Sequence, residues 1–124
     1  MSVWAKIISE IGPGYEAGEA LSDGDLLYMK SDGKVYKADA NGSSTYPCIG
    51  AAGVAVASGD YVQVVFSGWR NDGNSLNIGG RLYLSTTAGS ATQSASGTTP
   101  QQVGFATTAT DWYFQPSQAY NVPN

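Results

Sequence analysis

All sixteen glycines of this 124-residue chain fall between Gly12 and Gly104, never more than nine positions apart. Glycine in a helix interior costs about 1 kcal/mol relative to alanine, so this span cannot sustain long helices. Between the glycines lie short runs rich in Val, Tyr, Leu, Phe and Thr, residues that suit a pleated, half-buried surface. Strands are expected near 25–30, 34–38, 48–56, 60–67, 81–86, 90–94, 101–107 and 110–115. The turn chemistry agrees: Asp32-Gly33 separates LLYM from VYKA, and Ser58-Gly59-Asp60 separates VAVA from YVQVVF. Along 61–66, Val62, Val64 and Phe66 share one wholly apolar face, which should point inward.

Two of these runs resemble each other. SDGDLLYMKSDG (22–33) and GGRLYLSTTAG (79–89) both set Gly before Leu-Tyr-Met or Leu-Tyr-Leu, and Gly again after a polar stretch. Aligning Leu27 with Leu82 gives an offset of 55; Ile49-Gly50 then meets Val103-Gly104 at 54, and Val64-Val65-Phe66 meets Trp112-Tyr113-Phe114 at 48. Each half reads as a four-strand unit. One unit could bury only one face of its sheet, whereas two packed together close a core. True duplication and convergent hairpin grammar both fit this pattern. The expected fold is all-β, a small β-barrel or β-sandwich built from two similar four-strand units with an N-terminal arm. The arm spans 1–14, the β module 15–116 with its repeat at 22–68 and 77–116, and a loop-like tail 117–124.

The arm is the one region with a different pattern. Trp4, Ile7, Ile8 and Ile11 fall at helical spacing, with Ser2 as an N-cap and Gly12-Pro13 as a stop. Three isoleucines and a valine also suit a strand, so a short amphipathic helix and an extended arm both fit. The stretch GPGYEAGEALSDGD reads as a Gly-rich linker. An apolar segment detached in this way implies a partner.

Composition narrows the function. The net charge is −4 and only 13% of residues are charged, with the six Lys and Arg scattered. A nucleic-acid face needs clustered cations, so no nucleic-acid partner is expected. No run approaches the 18 apolar residues of a membrane span, and the N-terminus lacks the basic and apolar regions of a secretory signal. No membrane partner is expected, and synthesis in a cytoplasm is. Cys48 is the lone cysteine; it can close no internal disulfide, and it reads as a small buried residue.

The chain holds no histidine, which removes Ser-His and Cys-His nucleophilic arrangements. Asp23/Asp25 and Glu16/Glu19 could be paired as in a glycosidase, but carboxylates so placed belong to turns and the solvated surface. Asp72-Gly73-Asn74 has the look of a calcium loop without the closing Glu of that motif, and Asx-rich turns satisfy their own backbone. Gly79-Gly80 lacks the Lys-Ser/Thr and helix of a phosphate cradle. No catalytic, metal or cofactor residues are assigned, and no enzyme is expected. What remains is contact chemistry: Trp69-Arg70, at the end of a strand and before a loop, is a typical partner anchor, although Trp69 could equally plug the end of a barrel. The expected partner-interface residues are thus Trp4, Ile7, Ile8, Ile11, Trp69 and Arg70.

The Gly-strand-Gly grammar, DGKVYKADA, and IGAAGVAVASGDYVQVVFSG with its echo VGFATTATDWYFQP together resemble the small decoration, or cement, proteins of tailed-phage capsids. The likeness covers roughly 17–115, with its apolar-Gly strand at Ile49-Gly50, its turn at Gly59-Asp60 and its valine-rich strand from Val62 to Gly68. Similar wording occurs in phage fibre and head-fibre proteins. The resemblance implies a virion protein on the capsid surface that binds the major capsid protein, trimerises and clamps neighbouring subunits. The alternative is a receptor- or glycan-binding fibre domain, in which exposed aromatics stack on sugars and STTAGSATQSASGTT serves as a spacer.

Overall fold

The computed structural model describes Trp4 and residues 10–117, except for the side chains of residues 10–13 and Ser43. The fold is all-β, a curled antiparallel sheet that forms a half-barrel. Among the described residues there are nine strands: β1 (Glu10–Glu16), β2 (Leu26–Met29), β3 (Val35–Lys37), β4 (Gly50–Ala52), β5 (Tyr61–Arg70), β6 (Arg81–Leu84), β7 (Ala91–Thr92), β8 (Gln102–Ala106) and β9 (Trp112–Phe114). The hydrogen-bonded path runs β3-β2-β4-β5-β9-β8-β6-β7, with β1 added on β5. All eight expected strands are present.

The ninth strand corrects the reading of the N-terminal region. Residues 10–16 were divided between an arm and a linker, yet they pair with β5 from Glu10 opposite Ser67 to Glu16 opposite Tyr61. A ten-residue β5 leaves a long row of unpaired backbone groups that must be covered. The Gly12-Pro13 stop does not prevent the pairing, because it falls in a register irregularity between Ile11 and Gly14. Proline's missing N–H is tolerated at such an interruption.

The pairings divide into two five-stranded sheets that share β5. One has the order β3-β2-β4-β5-β1, the other β7-β6-β8-β9-β5. Their registers agree residue by residue. Leu27 faces Gly50 as Leu82 faces Gly104. Ala51 faces Val65 as Phe105 faces Tyr113, and Ala52 faces Val64 as Ala106 faces Trp112. Gly24 N–H donates to Ala52 O and Gly79 N–H to Ala106 O, both at 2.8 Å. The repeat is therefore structural, and each copy has five strands rather than four because β5 ends the first and begins the second.

The two sheets stack. Leu26, Tyr28 and Ala51 of the first lie in one buried cluster with Leu82, Leu84, Ala106, Trp112 and Phe114 of the second. The opposite face of the first sheet, Leu27, Val35, Ala52, Val62 and Val64, is capped by Ala17 and Leu21, with Tyr15 against them. Backbone bonds close the seam between the sheets: Leu26 N–H to Gly89 O at 3.0 Å, Gly89 N–H to Ala38 O at 2.8 Å and Ala40 N–H to Ser85 O at 2.9 Å. Gln101 completes the seam from within. Its Oε1 accepts from Cys48 N–H at 2.8 Å and its Nε2 donates to Cys48 O at 2.9 Å, so a side-chain amide stands in for a strand.

Cys48 is buried, as its sequence context suggests, and its Sγ lies 3.4 Å from Gly50 O. Burial pushes the thiol up to about 12. The folded thiol is therefore expected to resist alkylation at pH 8 and to react at the free-thiol rate once denaturant is added. An unfolded thiol ionises from about pH 8.5, so this group lowers stability as pH rises from there toward the folded value. A thiol titration with and without denaturant checks the first expectation, and Cys48→Ala as a pH-insensitive control checks the second.

Gly50 and Gly104 occupy equivalent positions for one reason: the next strand comes too close for a side chain. A Cβ on Gly50 would lie 2.5 Å from Val64 Cγ1 and 2.8 Å from Val65 O, and one on Gly104 would collide with Tyr113 O and the Trp112 ring. Gly33, by contrast, has φ +82° and open space around it. Gly50→Ala and Gly104→Ala are each expected to cost about 1–3 kcal/mol from overpacking, and Gly33→Ala about 1–2 kcal/mol from its left-handed backbone alone. Urea unfolding of the three variants tests the order.

Candidate partner interface

Successive residues of a strand point to opposite faces, and this separates the two neighbours that the sequence reading joined. Trp69 lies on the outer face of the second sheet, where it is half-buried, while Arg70 turns inward and is 5% exposed. Trp69 ends a row that crosses four strands in register: Arg81 opposite Phe105, Phe105 opposite Tyr113, Tyr113 opposite Trp69. Arg81 is exposed and Phe105 is 41% exposed. The row holds one charge and no carboxylate.

The three rings hold one another. Trp69 and Tyr113 meet edge to face with centroids 4.9 Å apart and planes at 60°. Trp69 and Phe105 lie 6.4 Å apart at 77°, and Phe105 and Tyr113 6.0 Å apart at 45°. Such edge-on contacts are favourable in their own right, so the cluster is stiff without being buried. Its surface is ridged rather than flat. Phe105, Tyr113 and Arg81 were not among the sequence-assigned contacts. The repeat alignment carried the signal: they stand where the first unit has Ala51, Val65 and Leu26.

Arg70 is no surface anchor. Its Nη1 donates to Gly24 O at 2.8 Å, its Nη2 to Asp72 Oδ2 at 2.6 Å and its Nε to Asp72 Oδ1 at 3.2 Å. The guanidinium lies over the Trp112 ring at 4.7 Å and the Trp4 ring at 5.2 Å. A buried cation requires this density of partners, and the requirement explains why Arg70 faces the core. Trp4 belongs to the same group. It bridges Arg70, its Nε1 donates to Ala52 O at 3.3 Å, and its ring meets Phe114 edge-on at 5.8 Å. Trp4 thus folds back on its own module rather than standing apart in a detached arm, because the Arg70 face and Phe114 offer it both cation–π and apolar contact. Ile7 and Ile8 lie outside the described residues, and of Ile11 only the backbone is described, opposite Val65.

Three of the four carboxylates considered for catalysis, Asp25, Glu19 and Glu16, have structural employment. Asp25 Oδ2 accepts from Ser22 N–H at 2.8 Å in a local turn, and Glu19 Oε2 accepts from Lys37 N–H at 2.9 Å beside β3. Glu16 pairs with Lys34 at 3.5 Å on the surface. Asp72 lines a cleft of about 620 Å³ with Asp23, Asp25 and Asn74, but Arg70 and Trp112 take both its oxygens, the latter through Nε1 at 2.9 Å. Among the described residues no three His, Cys, Asp or Glu side chains are grouped to hold a metal ion. The stretch from Ser85 to Thr99 is folded onto the body: Thr98 N–H donates to Ala40 O at 2.8 Å, and Thr99 is fully buried. It is not a solvated spacer.

No protein-family model matches the chain, and no curated protein does so either.

Partial burial works to raise the pKa of Asp72, but the hydrogen bonds and charge of Arg70 and the Trp112 N–H outweigh it, so the carboxyl lies below its ordinary range. The stabilisation it contributes is present above the unfolded value of about 3.9 and is lost as pH falls through the lower folded value. Asp72→Asn is expected to cost about 1.5–3 kcal/mol at pH 7, because Arg70 remains buried without its counter-charge. The variant should also lose part of the wild-type dependence on pH below 4. Urea unfolding of both proteins from pH 7 to pH 2.5 measures both effects.

Proposed function

We propose that this chain is a structural virion protein that binds the outer surface of a phage capsid and stabilises it by bridging neighbouring capsid subunits, acting as a homotrimer. One observation carries this reading: the Arg81–Phe105–Tyr113–Trp69 row, an exposed aromatic face stiffened by ring-to-ring contacts on a charge-poor double sheet. Aromatic residues exposed together mark contact surfaces, and they dominate interface energies. The likeness of residues 17–115 to capsid decoration proteins supplies the class of partner.

Ring geometry weighs against the fibre alternative. Sugars stack on flat aromatic platforms, whereas planes at 45–77° to one another present edges and hollows. Such relief suits interdigitation with protein side chains at a well-packed interface.

Capsids of the phage that encodes the chain, prepared without it, are expected to take up the purified protein saturably. Cosedimentation and added density on the outer capsid surface by electron microscopy are the readouts. Absence of uptake at tens of micromolar protein would overturn the reading, and saturable binding on a glycan array in its place would establish the alternative.

A further inference from the structure

We propose that Asn41-Gly42 is a self-modifying site, at which the asparagine loses its amide to the backbone nitrogen that follows it and the seam between the two layers loosens. It is the one Asn-Gly pair in the sequence; Asn71, Asn74 and Asn77 are followed by Asp, Ser and Ile. Asparagine is among the heat-labile residues, and it reacts most readily where the next residue has no side chain to hinder a close backbone approach. The fold leaves this pair open. Asn41 is exposed. Gly42 is fully extended, with φ 176° and ψ 177°, and a Cβ there would meet nothing within 4 Å. Its N–H donates no hydrogen bond among the described residues.

The reaction needs only water. The Gly42 nitrogen gives its proton to solvent and bonds to Asn41 Cγ; the Cγ–Nδ2 bond breaks, and Nδ2 takes up a proton and leaves as ammonia. Water then adds to either carbonyl of the resulting five-membered imide. The bond from that carbonyl to the ring nitrogen breaks, the nitrogen recovers a proton, and an aspartate or a β-linked isoaspartate remains. Either product strikes the seam. Asn41 Nδ2 donates to Thr86 O at 2.8 Å, joining the loop after β3 to the loop after β6. An aspartate replaces that donor with a negative charge facing a carbonyl oxygen. The residues on either side are held to the same layer: Ala40 N–H donates to Ser85 O at 2.9 Å, Ala40 O accepts from Thr98 N–H at 2.8 Å, and Gly42 O accepts from Thr99 Oγ1 at 3.4 Å. An isoaspartate lengthens the backbone between them by one methylene, so the two sets of bonds no longer fit together. This consequence is independent of which partner the aromatic row takes.

The test ages the full folded chain at pH 6 and pH 8.5, well below its melting temperature, beside a sample unfolded in urea. Peptide mapping by mass spectrometry follows each asparagine. Asn41 of the folded chain is expected to react before Asn71, Asn74 and Asn77, and its rate should rise with pH by up to about tenfold per unit, as the deprotonated fraction of the attacking nitrogen does. The product carries one more negative charge and separates by anion exchange; its urea midpoint should lie below that of the unmodified chain, and Asn41→Asp should show a lowered midpoint from the start. Gly42→Ala is the control: open space and extended backbone accommodate the methyl, so its melting temperature should match the wild type while its Asn41 amide persists. An Asn41 that stays intact in the folded chain while the unfolded sample reacts overturns the proposal, since the fold would then protect the pair. A modified chain whose urea midpoint equals that of the unmodified one overturns the effect on the seam.

Discussion

β5 has to satisfy two sheets with ten residues. Its first part is flanked by β1 and β4, with Val65 lying between Ile11 and Ala51, and its last three residues pair with β9. A strand shared in this way cannot be lost from one layer without opening the other, so the two repeats are one cooperative body rather than two beads. The chain must also turn the second layer over the first along this strand. Gly68, opposite Phe114, lies where β5 passes from one sheet to the other. Glycine inside a strand commonly marks such a bend.

Immediately beyond that transition lies Arg70, and its surroundings follow from the topology. Where a strand crosses from one layer to the next, backbone from several segments converges, and some carbonyls have no strand partner. Arg70 reaches one of these, Gly24 O, while Asp72 neutralises it and Trp4, Trp112 and Phe114 enclose it. A hydrophobic residue could fill the volume but could not bond Gly24 O. The ion pair thus specifies how the N-terminal segment, the first layer and the second layer meet, whatever its net contribution to stability. The same junction gives Trp4 a place on the module.

What could be read in the sequence was local or periodic. Leu27 and Leu82, Gly50 and Gly104, and the glycine turns at 33 and 89 mark the strands and their frame because each obeys a short-range rule. β1 could not be read so. Gly12-Pro13 is a legitimate stop signal, and residues 10–16 become a strand only because the free edge of β5 lies beside them. The inward turn of Arg70 was equally hidden: its acceptors and rings come from residues 4, 24, 72, 112 and 114, which no spacing rule connects. Trp69 was legible as an aromatic at a strand end, either a contact anchor or a plug, but its companions were not. Phe105 and Tyr113 look like ordinary strand residues until the repeat sets them against Ala51 and Val65.

That difference in size decides which face of each layer can be covered by what. Packed sheets lie about 10 Å apart, and a small residue in an inner row makes room for large side chains of the next layer. Ala51, flanked by Leu26 and Val65, leaves a shallow groove into which Trp112 and Phe114 can settle. In the second layer the groove is filled from its own side: Phe105 occupies the place of Ala51, and its ring stands against Tyr113 and Trp69. A third layer of the same make could not lie there as the second lies on the first, since two sets of large rings would compete for one space. The surface that fits this face must therefore be recessed where Phe105 protrudes. The alternation of a row built on a small residue with a row built on large rings leaves Phe105 41% exposed on the outer face of the second layer.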